Sequence, residues 1–311
     1  HTGEGKIMLN PPADTKVMDE DELIVFAEDD STIFYYEEPV QKPQVSELPQ
    51  VNTSLRTQRV ALLNWTSKAA IIMEKLCTYV PAGSEIIAYD PDKTKEMESF
   101  LVELQNNYPD LNLAMKQADL NDLNALNVLE PQNFDSLLIL SPGGTTIEEM
   151  DAYVISLLIR IRQILRESGL DKWPKLITEV MDSENIDIIL NSGVEDFMVS
   201  NQFVSQIMAQ VSEEPLALDV YDDLFQAEGS ELYIKPANYY FSFDGRESIT
   251  LPYGECTQAA LLRQEVCLGV QLHAHQGDKD KFFGVALIPD KGEEFTLTPQ
   301  DGLITLAEDE S

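Results

Sequence analysis

Apolar residues between positions 59 and 182 fall into two alternating periods. Short runs of four to seven apolar positions predict strands at Val60 to Asn64, Glu85 to Tyr89, Leu111 to Met115, Phe134 to Leu140 and Leu176 to Met181. Between them, apolar positions recur at helical spacing. Ala69, Ile72, Met73 and Leu76 mark one face of a helix from Lys68 to Tyr79, and a second helix is expected from about Thr94 to Asn106. Met150, Val154, Leu157, Leu158, Ile161 and Leu165 mark a long helix from about Ile147 to Glu167. Strand and helix in regular alternation predict a mostly parallel sheet with helices on both faces, an α/β, Rossmann-like unit.

The pattern changes further along. A helix with Phe197, Val204, Ile207, Met208 and Val211 on one stripe is expected near Asp196 to Val211, with more apolar surface than one sheet face needs. Strands are expected at Glu231 to Lys235, Ser248 to Leu251, Phe282 to Ile288 and Leu303 to Leu306, with a helix at Glu255 to Arg263, which together make a small α+β lobe. Residues 31–57 are polar, carry Pro39, Pro43 and Pro49, and read as a linker.

An internal repeat links the two ends of the chain. Asp21-Glu22-Leu23-Ile24-Val25-Phe26-Ala27-Glu28-Asp29 and Asp301-Gly302-Leu303-Ile304-Thr305-Leu306-Ala307-Glu308-Asp309 agree at six of nine positions, and each follows a second apolar run, Gly5 to Pro11 or Gly284 to Pro289. Each copy is expected to form a hairpin. Residues 1–30 then read as the closing hairpin of a preceding, truncated domain.

Charge narrows the function classes. Over 311 residues, 55 Asp and Glu stand against 21 Lys and Arg, a formal net charge of −34. Such a surface repels phosphate backbones, so no nucleic-acid partner is expected. Cys77, Cys256 and Cys267 form no C-x-x-C pair, which signals neither a disulfide framework nor a zinc knuckle. No apolar stretch approaches the 18 or more residues that span a bilayer, so this part of the chain is expected to be soluble.

Candidate binding residues gather at strand ends, where open α/β sheets take ligands. The first turn reads Leu63-Asn64-Trp65-Thr66-Ser67-Lys68-Ala69 and has no glycine. A dinucleotide fingerprint needs glycines there to let backbone approach pyrophosphate, so NAD is not expected to bind. Asn64, Trp65, Asp90 after the second strand, Asp119 after the third, and Gly143 in the break after the fourth are the ligand-binding candidates. Glu179 and Asp182 at the end of the fifth strand are the first metal candidates. Asp219, Asp222 and Asp223, at i, i+3, i+4 on one helical face, are the second. Calcium is the expected cation, because irregular carboxylate clusters suit its flexible coordination. His273 and His275 read as a solvated strand end, and no nucleophile constellation appears, so no enzyme is expected.

Several stretches resemble the CASTOR/POLLUX family of cation channels. They are Arg59-Val60-Ala61-Leu62-Leu63-Asn64-Trp65, Tyr79-Val80-Pro81-Ala82-Gly83-Ser84, Lys175 to Ser183, Val199 to Ser205 and Glu228 to Pro236. Leu63 replaces the glycine usual in the family's first turn. The resemblance implies RCK domains, each with a Rossmann-like lobe and a small TrkA-C-like α+β lobe. It divides the chain into a hairpin at 1–30, a linker at 31–57, a Rossmann-like RCK lobe at 58–213 and a TrkA-C-like lobe at 214–311. It further implies a ligand-sensing gating-ring region on the cytoplasmic side of a membrane, a homo-oligomer through its RCK lobes, attached to a transmembrane pore domain of the same chain. A soluble TrkA-type regulator of potassium uptake and a Rossmann-fold oxidoreductase are the competing readings.

Overall fold

The computed structural model describes residues 7–12, 14–27, 33, 44–45, 47–50, 56–143, 146–170, 172–182, 197–226, 229–276 and 278–308. They fall into two compact units, one formed by residues 55–214 and the other by residues 1–54 with 215–311.

The first unit is a parallel sheet. Its strands are β1 (Arg59–Leu63), β2 (Glu85–Asp90), β3 (Asn112–Gln117), β4 (Ser136–Ile139), β5 (Lys175–Val180) and β6 (Phe197–Val199), in the order β3-β2-β1-β4-β5-β6. Every pairing is parallel, in the doubly wound order of dinucleotide-binding folds. Successive side chains of β1 go to opposite faces. Ala61 and Leu63 join a core with α3 (Leu123–Leu129) and α4 (Ile147–Glu167), while Val60 and Leu62 join one with α1 (Ser67–Tyr79) and α2 (Lys95–Asn107). Thr66, Thr94, Asp122 and Thr146 cap the four helices, each accepting a backbone N–H of the first turn.

The end of this unit departs from expectation. Residues 197–199 are a strand, and the helix begins only at Ser200 and runs to Glu213. Val199 pairs with Val180, so the first residues expected in the helix instead extend the sheet by a sixth strand.

In the second unit, β7 (Glu231–Pro236), β9 (Val266–Gln271), β10 (Val285–Leu287) and β12 (Gly302–Ala307) form an antiparallel sheet ordered β10-β9-β12-β7, and β8 (Ile249–Pro252) pairs with β11 (Glu294–Leu297). The helix Tyr253–Leu262 covers this lobe with Cys256, Ala259 and Ala260 fully buried. The expected terminal hairpin is absent: β10 and β12 are both hydrogen-bonded to β9, which lies between them. Close packing at Gly269 permits this, since a Cβ there would lie 2.2 Å from the Ala286 carbonyl oxygen. Nor do the described residues of 7–27 form a strand; turn bonds run from Thr15 to Pro12 and from Asp21 to Met18, and the Met18 N–H donates to Asp21 Oδ2. His273–His275 is a 3-10 turn and not a strand, so the two imidazoles do not share a strand face.

A buried charged group sits in the lobe's core. Lys235, 3% exposed, places Nζ 2.9 Å from Glu265 Oε1, and the Tyr240 hydroxyl donates to Glu265 Oε2.

Candidate functional site

The crevice at the carboxyl ends of β1, β2, β4 and β5 is closed by the protein's own groups. Asn64 takes a left-handed backbone, φ 72°, a region in which asparagine is among the better-tolerated non-glycine residues. Its Nδ2 donates to the Leu140 carbonyl at 2.6 Å, and its Oδ1 accepts from the Tyr153 hydroxyl at 3.1 Å. One buried amide thus ties the first turn to the end of β4 and to α4.

Asp90 faces inward as well. Its Oδ2 accepts the Trp65 N–H at 2.6 Å and its Oδ1 the Asp92 N–H at 2.9 Å. The carboxylate at the end of β2, which in a dinucleotide site would meet a ribose, is here bonded to the first turn. Trp65 packs edge-on to Phe100, ring centroids 5.5 Å apart.

Glu179 is 5% exposed. Its Oε1 lies 2.6 Å from Lys68 Nζ, and its Oε2 accepts the Ser141 N–H at 3.1 Å. Burial without partners would be costly for a carboxylate, and the lysine of α1 together with one backbone amide supplies them. Beside it, Asp151 of α4, 1% exposed, accepts the N–H groups of Met181 and Asp182 at 2.8 and 3.0 Å. Tyr153 keeps its proton: burial first, then the charges of Asp90 and Asp119, push the phenol above its ordinary range, opposed by Arg160.

Of the residues singled out from sequence, Asn64, Trp65 and Asp90 come together in this closed turn. Asp119 forms a local turn with the Asn121 N–H, and its charge reaches Tyr153. Gly143 is exposed with open space where a Cβ would stand. Glu179 and Asp182 do not share a site: Glu179 is paired with Lys68, while Asp182 lines a separate cleft of about 450 Å³ with Ile147, Met181, Asn201, Gln202 and Ser205. Asp219, Asp222 and Asp223 lie on the helix Ala217–Leu224. Among the described residues no three His, Cys, Asp or Glu side chains are grouped to hold a metal ion, so the expected calcium site is not assembled there. Sequence reasoning missed Lys68, Ser141, Asp151 and Tyr153. Asp151 carried one signal, an acid on the same helical stripe as Val154, Leu158 and Leu165.

The Trp65 amide of the first turn is bonded to Asp90, and around the turn the carboxylates Asp90, Asp119, Asp151 and Glu179 outnumber the cations Lys68 and Arg160.

A doubly wound α/β unit with a self-bonded crevice, followed by a small α+β lobe, is therefore the class of protein that the chain defines. No protein-family model matches it. Over most of its length the chain is similar to plant ion channels of the CASTOR and POLLUX kind. It is 26% identical over 304 residues to the probable ion channel SYM8 of Pisum sativum, covering 88% of this chain and 33% of that protein. It is 27% identical to the probable ion channel POLLUX of Oryza sativa subsp. japonica (86% and 30%) and 25% identical to the ion channel CASTOR of Lotus japonicus (86% and 34%). The chain spans about a third of the length of these relatives. Among solved structures, a GsuK channel bound to NAD overlaps 82% of this chain and 37% of its own at TM-score 0.36 and 11% identity. No described helix is long and apolar enough to cross a membrane.

Proposed function

We propose that the chain is a non-catalytic regulatory region of a CASTOR/POLLUX-like cation channel, a gating-ring element on the cytoplasmic side of the membrane. The observation that carries this reading is the similarity to named ion channels across 86 to 88% of the chain. The crevice supports it from the chemical side. Asp90 accepts the Trp65 N–H, Glu179 pairs with Lys68, and the Asn64 amide accepts from the Tyr153 hydroxyl, so each of these groups already has a partner, which suits a conformational element more than an acid-base catalyst.

Assembly with further copies is part of the proposal. The helix Ser200–Glu213 has no buried residue, yet Phe203, Val204 and Met208 are 45, 52 and 68% exposed. An apolar row of that kind on a soluble helix favours a partner surface.

The test is electrical. In a channel of this family reconstituted in lipid, residues 55–311 replace the corresponding region, and open probability is compared with that of chimaeras carrying Lys68→Met or Glu179→Gln. A shift in gating with unchanged single-channel conductance supports the reading. Gating indifferent both to the replacement and to the two substitutions refutes it.

A further inference from the structure

The stretch ahead of the parallel sheet was expected to be a linker, and part of it is held against the C-terminal lobe. Glu255, half-buried in the first turn of the helix Tyr253–Leu262, accepts the Gln44 N–H on both carboxylate oxygens at 2.8 and 2.9 Å, and the Val45 N–H at 2.8 Å. Val45 and Leu48, three residues apart, pack on the core formed by Tyr240, Phe241 and Ala259. At the far end of the same helix, the Arg263 guanidinium donates to the carbonyls of Pro49 at 3.1 Å and Tyr239 at 2.7 Å.

The recognition is directional. A carboxylate reads adjacent amides, an apolar surface reads positions i and i+3, and a guanidinium reads a carbonyl. None of these contacts depends on the chain's surplus of negative charge.

We propose that the C-terminal lobe carries a groove for an extended peptide, and that the segment from Gln44 to Gln50 is its releasable occupant. Release is built into the packing. Both apolar anchors are only partly buried, and a cleft of about 390 Å³ runs along the segment between Val45, Glu47, Tyr240, Arg246 and Ile249. The lobe's own core does not depend on the occupant: β12 pairs with both β7 and β9, and Tyr240 is bonded to Glu265. While docked, the segment carries any pull on the chain into the helix Tyr253–Leu262. The docking stands by itself, and only its use as a mechanical path rests on the regulatory reading.

Hydrogen exchange on the whole 311-residue chain tests the docking without any channel measurement. The Gln44 and Val45 amides are expected to exchange on the order of tenfold or more slowly than in a free peptide of the sequence from Gln44 to Gln50. Glu255→Ala is expected to abolish that protection while β7, β9 and β12 stay protected. Leu48→Asp, which alters the occupant alone, is expected to do the same, and the labelled free peptide then binds this variant and not the Glu255→Ala/Leu48→Asp double variant. Wild-type amides exchanging as in the free peptide, protection unchanged by Glu255→Ala, or no peptide bound by the Leu48→Asp chain would each overturn the proposal. So would loss of β-strand protection in both single variants, which would make the segment an integral part of the core.

Discussion

Lys68 Nζ lies 2.6 Å from Glu179 Oε1, joining the first helix of the parallel unit to the end of its fifth strand. The two ends are unequal: the lysine side chain is 49% exposed and the glutamate 6%. Water therefore solvates the cation whether or not the pair forms, whereas the carboxylate depends on its partners. Lys68→Met, which leaves Glu179 with the Ser141 N–H alone, is expected to cost about 2 kcal/mol, and Glu179→Gln about 1 kcal/mol. Both tryptophans, Trp65 and Trp173, belong to the 55–214 unit, so their fluorescence in urea isolates its transition. Equal losses in the two variants would contradict the asymmetry.

NAD is expected to show no binding in the micromolar range. Displacing Asp90 from the Trp65 N–H would break a charge-assisted bond and bring phosphate towards carboxylates. Titration calorimetry with NAD and NADH checks this, and micromolar heats would mean that the crevice opens.

Within the C-terminal lobe, Lys235 and Glu265 are 3 and 4% exposed as side chains. Removing one member leaves an uncompensated buried charge. Lys235→Met is expected to cost about 3 to 5 kcal/mol, and Lys235→Met/Glu265→Leu clearly less than the sum of the single changes. Exchange at β7 and β12 gives the cycle, and additive losses would show that the pair is not coupled.

Burial raises the thiols of Cys77 and Cys267 from an ordinary 9.0 to about 11, with Glu74 adding to the effect at Cys77. A folded state that holds its proton more tightly than the unfolded chain keeps the full contribution below pH 9 and loses it as pH rises from 9 to 11. Urea midpoints are expected to fall across that window, and less steeply in Cys77→Ala. At pH 8 the folded protein is expected to resist alkylation at Cys77, since the thiol form is inert. Mass spectrometry after iodoacetamide reads this directly.

Self-association is expected to run through the helix Ser200–Glu213. Light scattering across the micromolar range is expected to show oligomers, and Val204→Glu/Met208→Glu to shift them towards monomer with the fold retained. A wild-type monomer throughout that range would remove this helix as the contact.

Periodicity alone located the helix Ile147–Glu167 at both ends, and the first five strands to within about two residues at most boundaries. These elements are legible because neighbours in sequence impose the alternation, whatever the chain meets elsewhere. Two strands decided by a distant partner, β6 and β9, were not. β9 carries Gly269, against which the Ala286 carbonyl passes too closely for any Cβ, and β6 is a strand only because Val180 lies beside Val199.

The same division holds for the site. The glycine-free turn, the acids at strand ends and the resemblance to CASTOR and POLLUX channels follow from residue identity. That Asp90 is bonded to Trp65, that Lys68 meets Glu179 across 111 positions, and that Glu255 holds Gln44 across 211, are products of tertiary structure. Side-chain chemistry states what a carboxylate is able to bind, and only the packing of distant segments decides which donor arrives first.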